Sequence, residues 1–345
     1  MLEYLYGLAT DKRKGVIAQF LKATLFLLSI IYGAFIRLLI YFSLIKRKRL
    51  PLKVISVGNI TLGGTGKTSL VEFIALKLQN SGHRSAILSR GYKSAPGNIG
   101  DEPSMLAEKL SGVEVIAGKD RISSANKAAI IPGLDTVILD DGFQQWRIIK
   151  DLDIVVINAL EPFGNFQMLP RGILREPLSS LKRAAIFVIS KTNLAADTQK
   201  IKQLLNKMNP VAQVFESAHL AEGFYSINSK ENIIGPESLR GKTAVLFSGI
   251  GDPDSFEKLL AAQGLKIGLF FKFPDHHNYT KHDLDGIIAA AEGKNIDTII
   301  TTEKDAVRLK GLALPRGLEI LVLKIKLVII NEEKFISRLL GIYPA

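Results

Sequence analysis

The stretch Lys53–Leu70, KVISVGNITLGGTGKTSL, constrains this chain more than any other. A short apolar run reads as a buried strand, and the residues from Gly66 to Asn80 read as a helix. Between them lies a glycine-rich loop. Gly63, Gly64 and Gly66 let backbone N–H groups turn inward on an anion, and the helix N-terminus adds partial positive charge. Lys67 suits the β- and γ-phosphates of a nucleotide, and the Thr68 hydroxyl suits Mg²⁺. The segment Thr61, Gly63, Gly64, Thr65, Gly66, Lys67 and Thr68 is therefore read as a phosphate cradle. The strict pattern G-x-x-x-x-G-K-[ST] is not met, because Thr61 stands at its first glycine.

Downstream, short apolar runs alternate with helical stretches. Strands are expected at Arg84–Ser89, Thr136–Leu139, Asp153–Ile157 and Ala185–Ile189, with a helix at Asp101–Leu110 that opens on two acids. A second series follows the Gly235–Pro236 region, with strands at Thr243–Phe247, Lys266–Phe271, Asp297–Thr301 and Leu318–Leu323. Helices at Asp254–Ala262 and Lys281–Ala291 lie between them. Such alternation implies parallel βαβ units in an α/β fold, with ligands at the carboxyl ends of the strands. The reading is a P-loop NTPase-like parallel sheet in residues 51–235, a smaller α/β domain in residues 236–345, and an N-terminal membrane-associating segment in residues 1–50.

Charge supports the last of these. The chain carries a net charge of +12, and nine Lys/Arg against two acids place +7 of it in the first 50 residues. A basic face for nucleic acid would be spread over the fold, so a nucleic-acid partner is not expected. The chain has no cysteine, which excludes disulfides and thiolate chemistry. Residues 16–42 are strongly apolar and flanked by basic clusters, Lys12–Lys14 and Lys46–Arg49. The longest uncharged run, Ala23–Ile36, is fourteen residues, short of the roughly 20 a spanning helix needs. A helix lying in or shallowly inserted into an anionic bilayer surface suits this pattern. A true span, a signal peptide and a helix packed on the protein's own core are the alternatives.

A phosphate cradle does not by itself distinguish kinases, ATPases and GTPases. Thr136–Asp141 is an apolar strand ending in Asp140 and Asp141, where an acid can hold the Mg²⁺ water shell opposite Thr68. Transfer to an alcohol also needs a group that orients or deprotonates the hydroxyl. Asp101 and Glu102, in GDEPS, and His276 and His277, in FPDHHNYT, are the candidates. Asp101 could equally cap a helix, and His276 could be an ordinary loop histidine. Ser190–Leu194, SKTNL, is similar to the base-reading element N-K-x-D, with Asn193 in place of the acid that reads guanine.

Eight ordered segments resemble the lipid A 4′-kinase (tetraacyldisaccharide 4′-kinase) family over essentially the whole chain. They are SVGNITLGGTGKT, Leu88–Tyr92, Gly100–Pro103, Asp140–Gln145, Asp151–Ile157, Leu169–Pro177, FPDHHNYT and Thr301–Leu309. The resemblance covers Thr61, since family members also lack the first glycine. It implies ATP- and Mg²⁺-dependent phosphorylation of the 4′-hydroxyl of a tetraacyl glucosamine disaccharide 1-phosphate. The product would be lipid IVA, formed at the cytoplasmic face of the bacterial inner membrane. It further implies that Asp101 and His276 form the catalytic pair with Lys67. Glu102 and Asp140 would belong to the magnesium shell, and Arg171 and Arg175 would meet phosphate on ATP or lipid. One departure stands out: Gln145 occupies a position where the family pattern has histidine, so any contact there with substrate or nucleotide is by neutral hydrogen bonding. The competing reading is a membrane-docked NTPase that acts as a switch or delivers a protein partner.

Overall fold

The computed structural model describes residues 2–91, 100–309, 312 and 319–344. The chain opens with helices α1 (Leu2–Ala9) and α2 (Val16–Ile45), followed by strand β1 (Lys53–Gly58), α3 (Lys67–Asn80), β2 (Ser85–Ser89), α4 (Asp101–Lys109) and β3 (Glu114–Ala117). Next come α5 (Arg121–Ala129), β4 (Thr136–Asp140), β5 (Leu152–Asn158), β6 (Ile186–Ser190), α6 (Gln199–Met208), β7 (Gln213–Ser226) and β8 (Ser229–Ile234). The remainder comprises β9 (Thr243–Ser248), α7 (Pro253–Ala262), β10 (Lys266–Lys272), α8 (Lys281–Glu292), β11 (Thr298–Thr302), α9 (Glu303–Arg308), β12 (Glu319–Ile329) and α10 (Glu332–Leu340). The last expected strand runs on well past Leu323, and its expected first residue, Leu318, lies outside the described residues. Tyr92, at the end of the Leu88–Tyr92 match, lies outside them too.

Two compact units emerge, and neither is continuous in sequence. The first takes residues 1–90, 112–217 and 329–345; the second takes residues 91–111 and 218–328. A boundary at 235/236 follows chain order, whereas these units interleave. The reason is local. The expected helix at residue 101 finds its partners not in its sequence neighbours but in α9, through ion pairs Lys109–Glu303 at 2.8 Å and Lys304–Glu102.

The first unit is built on a parallel sheet of order β7-β6-β5-β1-β4-β2-β3. Its central strands are buried nearly throughout, as a parallel sheet covered on both faces requires. Apolar clusters pack it, among them one around Phe143, Phe163 and Phe187 and one around Val54, Leu88 and Val137. α10 returns to seal it, with Phe335 edge-on to Phe73 and Phe215. β1 is the switch point, flanked by β4 on one side and β5 on the other, and ligands in such sheets bind beyond the carboxyl end of that strand. The register pairs Val57 with Asp140, so the glycine-rich loop and the Asp140–Asp141 pair leave the sheet side by side.

The second unit has strands in the order β10-β9-β11-β12 and then the later part of β7, with β8 antiparallel to β7. Pairings among β9, β10, β11 and β12 are parallel. Val245, Phe247, Tyr279, Leu284 and Ile299 form its core. β7 was not legible as a strand because it buries Ser217 and His219 beside Phe215, which breaks the apolar alternation that marks one.

α2 spans 30 residues, roughly 45 Å at 1.5 Å per residue. It buries only Ala18, Ser29, Gly33 and Ile36, and leaves Phe26, Leu27, Ile31, Phe35, Leu38 and Phe42 exposed. A helix packed on the protein's own core is therefore excluded. By length and composition α2 can cross a membrane. The fourteen-residue uncharged run understates its apolar length, because Lys22 does not face outward as a free charge. It pairs at 2.6 Å with Asp11, which Arg171 also grips at 2.8 Å.

Burial pushes the Asp11 carboxyl up, but hydrogen bonds from Lys22, Asn165 and Arg171 outweigh it and bring it down to about 2. The tie is thus intact above the unfolded carboxyl value of about 3.9 and is lost as pH falls through the folded one. Hydrogen exchange, corrected for intrinsic rates, should show protection in residues 1–45 falling as pH is lowered from about 4 toward 2. Asp11→Asn should already be less protected at neutral pH and show no such step; identical profiles would refute the tie.

Candidate functional site

The loop after β1 is held open by its neighbours. Thr61 is buried in an antiparallel bridge with Leu174. Leu62 N–H donates to Ile173 O at 2.8 Å and Arg175 N–H to Ile60 O at 2.7 Å. The backbone at residue 61 is extended, a conformation that suits a β-branched residue, so threonine stands where the strict motif has glycine. Positive φ is needed further on, at Gly63 (102°) and Gly66 (87°), where glycine carries no steric cost. SKTN has a structural part here: Ser190 Oγ donates to Thr65 O at 2.7 Å and Lys191 Nζ to Gly64 O at 2.8 Å. Drawing these carbonyls aside orients the loop's N–H groups for a ligand.

α3 begins with no side-chain cap, so the orphan N–H groups of its first turn are available to an anion. Thr65 Oγ1 is buried with no hydrogen-bond partner among the described residues, a position that would otherwise cost free energy. Thr68 is buried in the first turn. An uncapped helix start, an orphaned hydroxyl and a lysine at the mouth fit a polyphosphate.

Lys67 Nζ lies 3.3 Å from Asn59 Oδ1 and 3.5 Å from Asp141 Oδ1. Asp141, at φ 54°, accepts both terminal nitrogens of Arg175 at 2.9 and 2.8 Å. Arg175 NH2 also reaches Asn59 through its carbonyl and its Oδ1. Burial pushes the Asp141 carboxyl up, but Lys67 and Arg175 outweigh it and hold it far below the usual carboxylate range. The arrangement keeps two cations close together beside the loop with an anion between them. Glu176, fully buried, anchors the same turn by accepting from Gln144, Trp146 and Arg183.

Asp140 ends β4 and is buried. Its carbonyl accepts Arg121 NH2 at 3.3 Å. Burial pulls the Arg121 guanidinium down, and Asp140 and Asp141 counter that. Among the described residues no group of three or more His, Asp or Glu side chains could hold a metal ion. Mg²⁺ commonly keeps its waters and binds one or two protein oxygens plus substrate phosphates, and Thr68 with Asp140 suit that mode. Glu102, the other expected ligand, belongs to the second unit and pairs with Lys304.

Of the expected substrate contacts, Arg175 lies in the Lys67 network and Arg171 does not. Arg171 donates to Leu8 O and to Asp11, fastening the N-terminal helices. Gln145 contributes its backbone N–H to a turn with Gly142 O. Its neighbour Gln144 enters the network instead, donating to Asn59 O and to Glu176. Sequence reasoning missed Asn59, Gln144, Asp141 as the partner of Lys67, and Arg121. The second acid of the Asp pair was a signal for one of them, Asn59 and Gln144 lie within the matched segments SVGNITLGGTGKT and Asp140–Gln145, and Arg121 had none.

In the second unit Asp101 and His276 come together, with His276 Nδ1 3.9 Å from Asp101 Oδ2. Asp101 opens α4 without capping it through its own side chain, since the cap position is Gly100. His276 sits at φ 60°, and its N–H donates to Gly249 O at 3.1 Å. His277 has a different part. It bonds Asp283 at 3.1 Å and stacks on Phe273, so it closes its own loop. Arg308, which sequence reasoning did not single out, donates through Nε to Asp101 Oδ2 at 2.7 Å.

The model of the family described as tetraacyldisaccharide-1-P 4′-kinase matches residues 21–343. The tetraacyldisaccharide 4′-kinase of Halothermothrix orenii is 40% identical over 321 residues, covering 83% of each chain. The enzyme of the same name from Desulfatibacillum aliphaticivorans is 35% identical over 340 residues, covering 91% of this chain and 90% of its own. Among solved structures, LpxK from Aquifex aeolicus in complex with ATP is similar with a TM-score of 0.70 and 28% identity. That match covers 94% of this chain and 100% of the other. A glycine-rich loop backed by paired acids, an Asp–His pair and a family match over residues 21–343 lead to one assignment: the chain belongs to the tetraacyldisaccharide-1-P 4′-kinase family.

Proposed function

We propose that this chain transfers the γ-phosphoryl group of ATP to the 4′-hydroxyl of a tetraacylated glucosamine disaccharide 1-phosphate, at the cytoplasmic face of an inner membrane. The observation that carries this reading is the Lys67–Asn59–Asp141–Arg175 network beside an uncapped helix start. Donors aimed where charge develops are the main tool for phosphoryl transfer, since little covalent chemistry falls to the protein. Backbone N–H groups of Gly63–Thr68 hold the phosphates. Lys67 exchanges its bonds to Asn59 and Asp141 for phosphate oxygens, and Arg175 remains beside them. Thr68 and Asp140, with Glu102 as a further ligand, would hold magnesium, which would supply positive charge to the phosphates. Asp101 takes the proton of the 4′-hydroxyl as its oxygen bonds to phosphorus, while the bond from the γ-phosphorus to the bridging oxygen of ADP breaks. His276 stands beside that carboxylate as the second member of the pair.

α2 supplies the membrane surface. Its exposed apolar residues and the flanking Lys46–Arg49 cluster suit a bilayer with anionic headgroups. The purified full-length chain should bind anionic vesicles on flotation, and replacing Leu27, Ile31 and Phe35 with serine should release it. Equal flotation would refute α2 as the attachment.

The chemistry is tested with ATP, Mg²⁺ and the lipid disaccharide 1-phosphate. The wild type should yield the bisphosphorylated lipid. Lys67→Ala should lose both nucleotide binding and transfer. Asp101→Ala and His276→Ala should keep nucleotide binding and lose about 100-fold or more in kcat, as expected for a lost general base. ATP hydrolysis without lipid phosphorylation by the wild type would discard the kinase reading, and full transfer by Asp101→Ala would discard the base.

A further inference from the structure

We propose that Arg308 is a positioning residue that fixes the Asp101–His276 pair, holding His276 in the tautomer with its proton on Nε2 and keeping the two side chains from bonding directly. The inference rests on the reading of Asp101 and His276 as the reacting pair.

The geometry begins with α9. Thr302 caps it, accepting from Asp305 N–H, and Asp305 and Arg308 fall three residues apart on one face. The Arg308 side chain is only 2% exposed, so every donor it owns must find an acceptor within the unit. NH1 donates to Gly249 O at 2.7 Å and to Asp305 Oδ1 at 3.0 Å. Nε donates to Asp101 Oδ2 at 2.7 Å, and NH2 faces His276 Nδ1 at 3.2 Å. Burial would lower the guanidinium, but Asp101 and Asp305 more than offset it, so the group stays charged.

A guanidinium has no lone pair to offer. The His276 nitrogen that faces it must therefore be the acceptor, which leaves the ring proton on Nε2. Asp275 agrees with this, since its carboxylate lies on the Nε2 side, 3.9 Å away. Without Arg308, Nδ1 and Asp101 Oδ2, now 3.9 Å apart, would close into a direct hydrogen bond. Nδ1 would then carry the proton, Nε2 would lose its own, and the carboxylate oxygen would be engaged by imidazole. With Arg308 present, Oδ2 is occupied by a fixed donor, the accepting role falls to Oδ1, and Nε2–H remains a donor.

The fixture is itself anchored. Asp305 is fully buried and accepts from Gly249 N–H and Tyr279 Oη–H at 3.0 Å each and from Thr302 Oγ1–H at 2.6 Å. Gly249 O accepts from both Arg308 and His276 N–H, so the backbone that carries His276 is keyed to the same guanidinium. A side chain on Gly249 would come within 3.1 Å of His277 Cβ and Pro274 O. This gives T-T-E-K-D-A-V-R a physical meaning: its last residue acts on Asp101 and His276, and its aspartate holds that residue in place.

The test uses the full-length protein and two variants. Arg308→Lys keeps the buried charge that Asp305 requires, yet a single Nζ cannot serve Asp101, His276 and Gly249 O together. Arg308→Met removes the donors. The His276 imidazole is read by long-range ¹H–¹⁵N spectra, assigned by the signal lost in His276→Gln. The wild type should show the Nε2–H pattern. Both variants should show proton density moved to Nδ1, with kcat down about 10-fold for Lys and about 100-fold for Met, and KM for ATP within about two-fold. An unchanged Nε2–H pattern in Arg308→Lys, or wild-type kcat in either variant, overturns the proposal. Should Asp101→Asn retain full activity, the reading beneath it fails, while the tautomer measurement still reports whether Arg308 positions His276.

Discussion

The parallel pairing of β1 between β4 and β5 is the constraint on which the first unit's chemistry depends. Parallel strands all deliver their carboxyl ends to one edge of a sheet, and the Val57–Asp140 register fixes which residues emerge together. Gly58 leaves no room for a side chain: a Cβ there would lie 2.5 Å from Phe143 N and Cβ. The chain that follows Asp141 thus packs directly on the strand that precedes the loop. Gly142 N–H donates to Val57 O at 2.9 Å, which turns Asp141 back toward Lys67. Backbone geometry, more than side-chain attraction, brings the lysine and its aspartate together.

Charge follows from that placement. Lys67 and Arg175 are both cationic and sit on the same carboxylate, an arrangement that would be self-repelling without Asp141. The anion lowers the cost of keeping two cations in a half-buried space. It also gives Lys67 a partner that an anion could displace at little reorganisation cost, the sense in which such sites are preorganised. The second unit repeats the device with signs exchanged. There one buried guanidinium holds two carboxylates, Asp101 and Asp305.

Sequence patterns revealed the sheet and the glycine-rich loop because their signals are local. An apolar strand followed by glycines and Lys-Thr is a signal carried within a few residues, even though Ile173, Arg175, Ser190 and Lys191 hold the loop in place, and the central strands are buried on both faces and read as continuous apolar runs. What stayed hidden depends on distant partners. Arg308 was not singled out because its contact with Asp101 joins residues some 200 positions apart in sequence. Arg171 and Arg175 are four residues apart in one motif, yet one fastens Asp11 and the other Asp141. No spacing rule separates them. β7 escaped because its buried face includes Ser217 and His219, polar residues whose burial only the fold explains.

α2 shows the same division between local and distant causes. Its composition announced an apolar helix, but its usable apolar length depends on where Lys22 points. Asp11 answers that, and Arg171 in turn holds Asp11. Farther along, Tyr32 Oη–H donates to Arg175 O at 3.1 Å, the backbone of a residue whose side chain reaches Asp141 and Asn59. The apolar helix and the Lys67 network thus share the segment Arg171–Arg175, one through Asp11 and the other through Asp141. A helix seated on a bilayer would hold that segment, and with it the cation beside Lys67, at a fixed depth relative to the membrane surface. Attachment and catalysis would then be linked through five residues of chain.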